Sequence, residues 1–292
     1  MNVAVLLPLV LALIAALVTA AVHRRLRPDI AAVLLTAAIV GATLAALPTL
    51  VVLSLGFVAH QPLLDGGLDW CRDVVGFHAA INPWVGGTAS VLLTAGIVRF
   101  VRVWLVWHRF HRSDPGDPEV VESDALFAYS LPGAGRRVAV SSGLIGALDP
   151  EEFAIVMAHE RGHANNRHDR HLLLADLAVA VFPLVAPVRS RLRFALERWA
   201  DESAVVALGC DRRLAARTLA RVALAQVDTP PLAAAYNDLG VAARVDALLR
   251  PPALSHQRWW STTMQVGVVV VMLTAAIQAH HVFGLLVSLC PD

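Results

Sequence analysis

Asp149-Pro-Glu-Glu-Phe-Ala-Ile-Val-Met-Ala-His-Glu-Arg-Gly-His163 is the stretch on which the reading of this chain turns. Asp149 stands as an N-cap, Pro150 suits the first helical position, and Glu151 and Glu152 face the positive end of the dipole, so a helix starts here. Phe153, Val156 and Met157 bury one side of it. Farther along, His159-Glu160-Arg161-Gly162-His163 is an HExxH pattern, and on a helix its histidines stand one turn apart on one face, where both can bind a single metal ion. Glu160 then projects beside that ion. A short pattern with three fixed positions also arises by chance in long helices, so its weight depends on what surrounds it.

Downstream, Arg193 to Val206 predicts another helix, carrying Glu197, Arg198, Trp199, Ala200 and Asp201. Glu197 can complete a His2Glu site for one Zn2+ per chain, with the fourth position open to water. Asp201, one turn later, is placed to accept an N–H from a ligand histidine. Zinc makes water acidic enough, with a pKa of about 7, for Glu160 to take its proton as it attacks a peptide carbonyl. The plainer alternative is a solvated acidic face in which Glu197 and Asp201 pair with Arg193 and Arg198. Tyr236, Asn237 and Arg244 are candidates for stabilising the oxyanion, Arg244 ranked first as a catalytic residue beside Glu160. His168 and His171, flanking Asp169, read as the solvated end of a helix rather than as alternative ligands or substrate contacts. Upstream, Ala125 to Leu131 and Arg136 to Ser142, separated by Pro132-Gly-Ala-Gly135, predict a β-hairpin. Its second strand either offers an edge to an extended substrate or is purely structural.

Around this segment the composition is that of a membrane protein. The 292 residues are 57% hydrophobic and 16% charged, with mean hydropathy +0.61, more apolar material than a soluble core of that size hides. The net charge of +1 carries no basic excess, so direct binding of nucleic acid is not expected. Asn2 to Val22 is long enough to span, and no basic segment precedes it as a signal peptide requires, so it reads as a retained span. Ile30 to Ala59 is a second run, Trp84 to Val98 continuing into Phe100 to Trp107 a third, and Ser261 to about Leu289 a fourth. Arg24, Arg25 and Arg27 between spans one and two, and Arg99, Arg102, Arg109 and Arg112 after the third, assign those segments to the cytoplasm. Both termini are then external, as is the loop at about 60–82 with Asp65, Asp69 and Asp73. Cys71 and Cys290 fall outside, where they either pair or stay single, and Cys210 falls inside. Leu172 to Val188 resembles a fifth span, but a single crossing there would put His163 and Glu197 on opposite sides of the bilayer. A buried, re-entrant or interfacial hairpin is expected instead.

The expected architecture is therefore mainly α: a polytopic protein of four transmembrane helices with a zincin-like α+β metallopeptidase domain between spans three and four. Residues 1–107 hold three spans, residues 108–255 the cytoplasmic peptidase domain entered through a linker at 113–118, and residues 256–292 the fourth span and a short external tail.

Several stretches resemble the BlaR/MecR-type antirepressor metallopeptidases and, more distantly, the HtpX and CAAX-protease group. They are Val138-Ala-Val-Ser-Ser-Gly-Leu144, Asp149 to Glu152 leading into His159 to His163, Glu197-Arg-Trp-Ala-Asp201, and Arg244-Val-Asp-Ala-Leu-Leu249. The resemblance covers about half the chain, and it implies zinc on His159, His163 and Glu197 with Glu160 as general base. Three spans before the zinc domain and one after are more similar to BlaR/MecR. Where BlaR and MecR continue into an external penicillin-binding sensor, this sequence stops just after span four, so direct acylation by a β-lactam is not expected. What the resemblance implies as partner, besides the lipid bilayer, is a cytoplasmic protein substrate such as a BlaI-type repressor. A quality-control protease of the HtpX kind and a non-catalytic receptor or scaffold with a structural zinc site are the competing readings.

Overall fold

The computed structural model describes residues 3–58, 82–112, 120–130, 137–225 and 231–250, with eight further positions between 262 and 280; residues 3–8, 112 and 231–239 are described by their backbone alone. Outside the described residues lie Cys71 and Cys290, the linker at 113–118, the hairpin turn at 132–135, most of the fourth span, and the side chains of Tyr236 and Asn237.

Three long helices open the chain: α1 (Val3–Val22), α2 (Pro28–Val58) and α3 (Pro83–Arg112). A short 3-10 turn at His23–Arg25 joins the first two, and Asp29 in the first turn of α2 holds Arg27 at 2.9 Å. Both α2 and α3 are long and apolar enough to cross a membrane, with mean hydropathies of 2.4 and 1.8. Their environments differ. Small residues of α2 such as Ala31, Ala38, Gly41 and Ala45 are buried, which lets neighbouring helices approach closely. α3 instead turns Val91, Leu92, Ile97 and Val106 outward, an apolar surface that lipid would cover.

A small sheet follows, made of β1 (Val120–Val121), β2 (Ala128–Ser130) and β3 (Val138–Ser141), in the order β1-β3-β2. β2 runs antiparallel to β3 with Tyr129 opposite Ala139, so the two expected hairpin strands do pair. The edge predicted for the second strand is not there: β1 lies parallel against the far side of β3. Two hydrogen bonds hold it in place, from the Ser123 N–H to Ser142 Oγ at 3.0 Å and from the Gly143 N–H to the Ser123 carbonyl at 2.9 Å. A Cβ at Gly143 would stand 2.6 Å from the Asp124 carbonyl oxygen, so only glycine allows this approach. Among the described residues, the outer strand next to the motif helix is therefore β2.

The rest is helical: α4 (Ser142–Ala147), α5 (Pro150–Asn165), α6 (His168–Val181), α7 (Ala186–Leu208), α8 (Arg212–Ala225) and α9 (Pro231–Leu249). α5 starts as its sequence predicts, with Pro150 in its first turn and the Glu152 carboxylate accepting the Asp149 N–H at 3.2 Å. It stops at Arg167, whose φ of 54° is left-handed, and this turn sends α6 off in a new direction. A 3-10 turn at Pro183–Val185 then reverses the chain into α7, and the Asp176–Arg189 ion pair closes the hairpin. The expected hairpin at Leu172 to Val188 is thus two antiparallel helices, which bring Glu197 back beside His163. They share one core with the first helices, where Leu35 and Ile39 of α2 pack with Ala175, Leu192 and Leu196. A second cluster of Ile155, Ala215, Ala216 and Leu248 joins α5 to α8 and α9.

This packing corrects one expectation. His168 and His171 are not a solvated helix end: His168 is 2% exposed, and His171 Nδ1 lies 2.8 Å from Thr36 Oγ1 of α2. The cause is the turn at Arg167, which folds α6 onto α2 instead of letting it run into solvent.

Candidate metal centre

On α5, His159 and His163 lie one turn apart as the spacing requires, and their Nε2 atoms are 3.1 Å from each other. α7 brings the Glu197 carboxylate to the same point, with Oε2 3.6 Å from His159 Nε2 and Oε1 3.8 Å from His163 Nε2. These three are the only such group of metal-ligating side chains among the described residues, their ligand atoms all within 4.8 Å of one another. A tetrahedral zinc ion with bonds of about 2.0–2.2 Å separates its donors by roughly 3.3–3.6 Å. The trio fits. Gly162 makes the approach of the two helices possible, since a Cβ there would stand 3.2 Å from Ser203 Cβ and 3.4 Å from the Ala200 backbone.

The outward nitrogens of both rings are also engaged. His159 Nδ1 lies 3.0 Å from Asp201 Oδ1, and His163 Nδ1 lies 2.8 Å from His168 Nδ1. Each ring is thereby turned so that Nε2 faces the centre. Asp201 is itself held by Arg244, which donates from Nε to Oδ2 at 2.8 Å and from Nη2 to Oδ1 at 2.7 Å. The third guanidinium nitrogen, Nη1, is 3.0 Å from Glu197 Oε2. All three nitrogens of Arg244 therefore serve the carboxylates.

Electrostatics separates the roles these groups can take. Burial pushes Glu160 up to about 7, with the Glu197 charge adding to it, while His159 and a hydrogen bond from the Ser130 backbone N–H act in the other direction. A carboxylate poised there is matched to taking up and giving back a proton near neutrality. Burial likewise lowers His163 to about 4, leaving the ring neutral and able to ligate. Burial also disfavours charge on His159, but hydrogen bonds and charge from Asp201 and Glu197 outweigh it and raise the ring to about 10. Glu197 stays below the usual carboxylate range, because the His159 hydrogen bond and the Arg244 charge overcome its desolvation. The pocket thus prefers a positive charge at its centre, whether a proton or a metal ion.

His159, Glu160, Glu197 and Arg244 line a cleft of about 1320 Å³ that includes Ala128 of β2. A second cavity, of about 1370 Å³ between α3 and α6, reaches Ser130 and His163. β2 contributes to both, and Asp176 and Val179 of α6 line both as well. Of the residues singled out in the sequence, His159, Glu160, His163, Glu197, Asp201 and Arg244 all meet here. His168 and the Ser130 N–H are the participants that pattern reading missed.

Residues 105–232 match the model of Peptidase family M48. The Protease HtpX homolog of Thermoplasma acidophilum is 47% identical over 62 residues, 20% of this chain and 19% of the relative. The homolog of Aeropyrum pernix is 38% identical over 79 residues, 26% of this chain and 24% of the relative, and that of Picrophilus torridus 43% identical over 53 residues, 18% and 17%. The matches thus span about a fifth of the length of these curated relatives. No solved structure matches the chain. The metal trio and Glu160 fall inside the segment that matches the M48 peptidases, and together with two apolar helices this likeness supports a membrane metalloprotease of the HtpX/M48 group.

Proposed function

We propose that this chain is an integral membrane zinc metalloendopeptidase whose active site faces the cytoplasm. The observation that carries the reading is the convergence of two Nε2 atoms and the Glu197 carboxylate, each held from behind, with Glu160 beside them in an open cleft. Zinc held by His159, His163 and Glu197 would supply Lewis acidity toward water and the scissile carbonyl. Glu160 takes the proton of the attacking water and returns it to the departing amine, which its position near neutrality allows. An extended substrate adds to the outer edge of β2, the strand whose Ser130 N–H meets Glu160. Arg244 orients Glu197 and Asp201 and so supports the reaction from behind the ligands.

Two biological settings use such a site. One is a quality-control protease of the HtpX kind, clearing damaged membrane proteins, a reading compatible with the likeness to proteases named HtpX homolog. The span order expected from the sequence favours a regulatory protease that relays an envelope signal by cutting one cytoplasmic protein, such as a BlaI-type repressor. The first test is zinc content per chain of the detergent-purified protein by mass spectrometry, with Glu197→Ala as comparison. About one zinc, markedly reduced in the variant, is expected for a mononuclear site. No zinc in folded wild type would favour a scaffold instead. Cleavage of an unfolded membrane protein but not of a folded repressor would select the quality-control setting, and the converse the regulatory one.

A further inference from the structure

We propose that His168 is a positioning residue for the metal centre: its Nδ1 accepts the Nδ1 proton of His163 and so keeps His163 Nε2 free for the metal. The inference rests on the zinc-site reading above. The two ligand histidines are backed by different chemistry, His159 by the Asp201 carboxylate at 3.0 Å and His163 by a second imidazole at 2.8 Å. An imidazole, unlike a carboxylate, either donates or accepts at a given nitrogen. If His168 Nδ1 carried the proton and donated, neutral His163 would be protonated on Nε2, the atom that faces His159 Nε2 at 3.1 Å, and the site would be closed to a cation. Accepting is the metal-competent state, and it puts the proton of His168 on its own Nε2.

That atom has a feature of its own. His168 Nε2 is buried and has no hydrogen-bond partner among the described residues. The ring is 2% exposed and lies against Trp199, with 4.9 Å between ring centroids. A buried polar atom without a partner is uncommon and costly, so its presence beside the metal trio calls for a reason. Holding the ligand tautomer is one. The first turn of α6, which carries the ring, is fixed from two sides: the left-handed turn at Arg167 leads into His168, and one turn later His171 meets Thr36 of α2 at 2.8 Å. The support of a metal ligand is thereby anchored to a helix long enough to span the membrane.

Three substitutions separate an acceptor role from simple packing. Asparagine carries an oxygen near the place of Nδ1, glutamine carries it near Nε2, and leucine has none. Full-length protein in detergent would be compared by competition for zinc with a chromophoric chelator and by the visible absorption of the cobalt(II)-loaded form. Circular dichroism would report folding. We expect His168→Leu to bind zinc about 10–100-fold more weakly and to shift the cobalt bands. His168→Asn should restore most of the affinity and the spectrum, and His168→Gln should not. Wild-type affinity and an unchanged spectrum in His168→Leu overturn the proposal and leave the metal centre standing. If leucine prevents folding, equal affinities of the asparagine and glutamine variants overturn it. A folded wild type that takes up neither zinc nor cobalt sinks the zinc-site reading itself, and this inference with it.

Discussion

At Glu160 and Arg244, two neighbouring charged groups are asked for different things. In the mechanism proposed above Glu160 is the general base, so Glu160→Gln should keep about one zinc per chain while cleavage falls by about 10²–10⁴-fold, the usual worth of a positioned base. His163→Ala should lose metal and activity together. Full activity in either variant would overturn the mechanism. Arg244 was expected from its sequence to stabilise the oxyanion, yet its three nitrogens are bound to Asp201 and Glu197. Arg244→Gln should therefore weaken zinc binding along with turnover. If zinc affinity stays at the wild-type level while kcat alone falls, the oxyanion role stands. The difference in legibility between these residues is physical. Two histidines four apart on a helix share a face whatever the rest of the chain does, so His159 and His163 can be read locally. Glu197 follows because a third ligand is needed. His168 was not legible, because its place depends on a left-handed backbone at Arg167, and arginine is not a residue type that announces one.

The elements hold these side chains by two kinds of contact, close packing and buried charge. α5 and α7 meet at Gly162, where a Cβ alone would already stand 3.2 Å from Ser203 Cβ, and Gly162→Val adds two methyl groups to that contact. Overpacking of this kind costs about 1–3 kcal/mol, and here it also separates the histidines from Glu197. The variant should melt at lower temperature and bind zinc more weakly, whereas unchanged affinity would place the helix contact elsewhere. The start of α5 depends on Glu152, 5% exposed, which binds the Asp149 N–H and Arg221. The Arg221 hydrogen bond holds this carboxyl below its ordinary value of 4.5. A depressed carboxylate stabilises the fold fully above its unfolded value, and the contribution is lost as pH falls through the lower folded value. Glu152→Gln should accordingly unfold several degrees earlier at pH 7, and its gap to wild type should close as the pH drops below about 4. A gap independent of pH in circular-dichroism melts would mean that the charge is not responsible. Element boundaries were legible where caps mark them, as at Asp149-Pro150. The edge of the sheet was not, because β1 is two residues long and carries no pattern of its own.

Across the described residues, the helices around the metal trio and the first apolar helices share one core. Leu35 and Ile39 of α2 are buried against α6 and α7, and Arg198 of α7 donates to the Arg24 carbonyl in the turn between α1 and α2 at 3.3 Å. Helices α6 and α7, which hold His168 and Glu197, therefore cannot shift relative to α2 without disturbing the metal centre. That coupling was invisible in the sequence, where Leu172 to Val188 could be excluded as a crossing only because a shared metal forbids it. The orientation in the bilayer still rests on arginine placement, and the native cysteines can test it. Cys71 follows the second apolar helix in sequence and is expected outside, while Cys210, at the end of α7, is expected in the cytoplasm. In intact cells treated with mild reductant, a membrane-impermeant maleimide should label a variant that keeps only Cys71. It should label one that keeps only Cys210 after the membrane is opened. The reverse pattern would put the active site on the outer face and exclude a cytoplasmic repressor as substrate. Labelling of both in intact cells would mean that the arginine-rich turn between α1 and α2 does not fix the orientation. The zinc chemistry would survive either result, because the ligand set and Glu160 stand on α5 and α7 whichever way the chain is oriented.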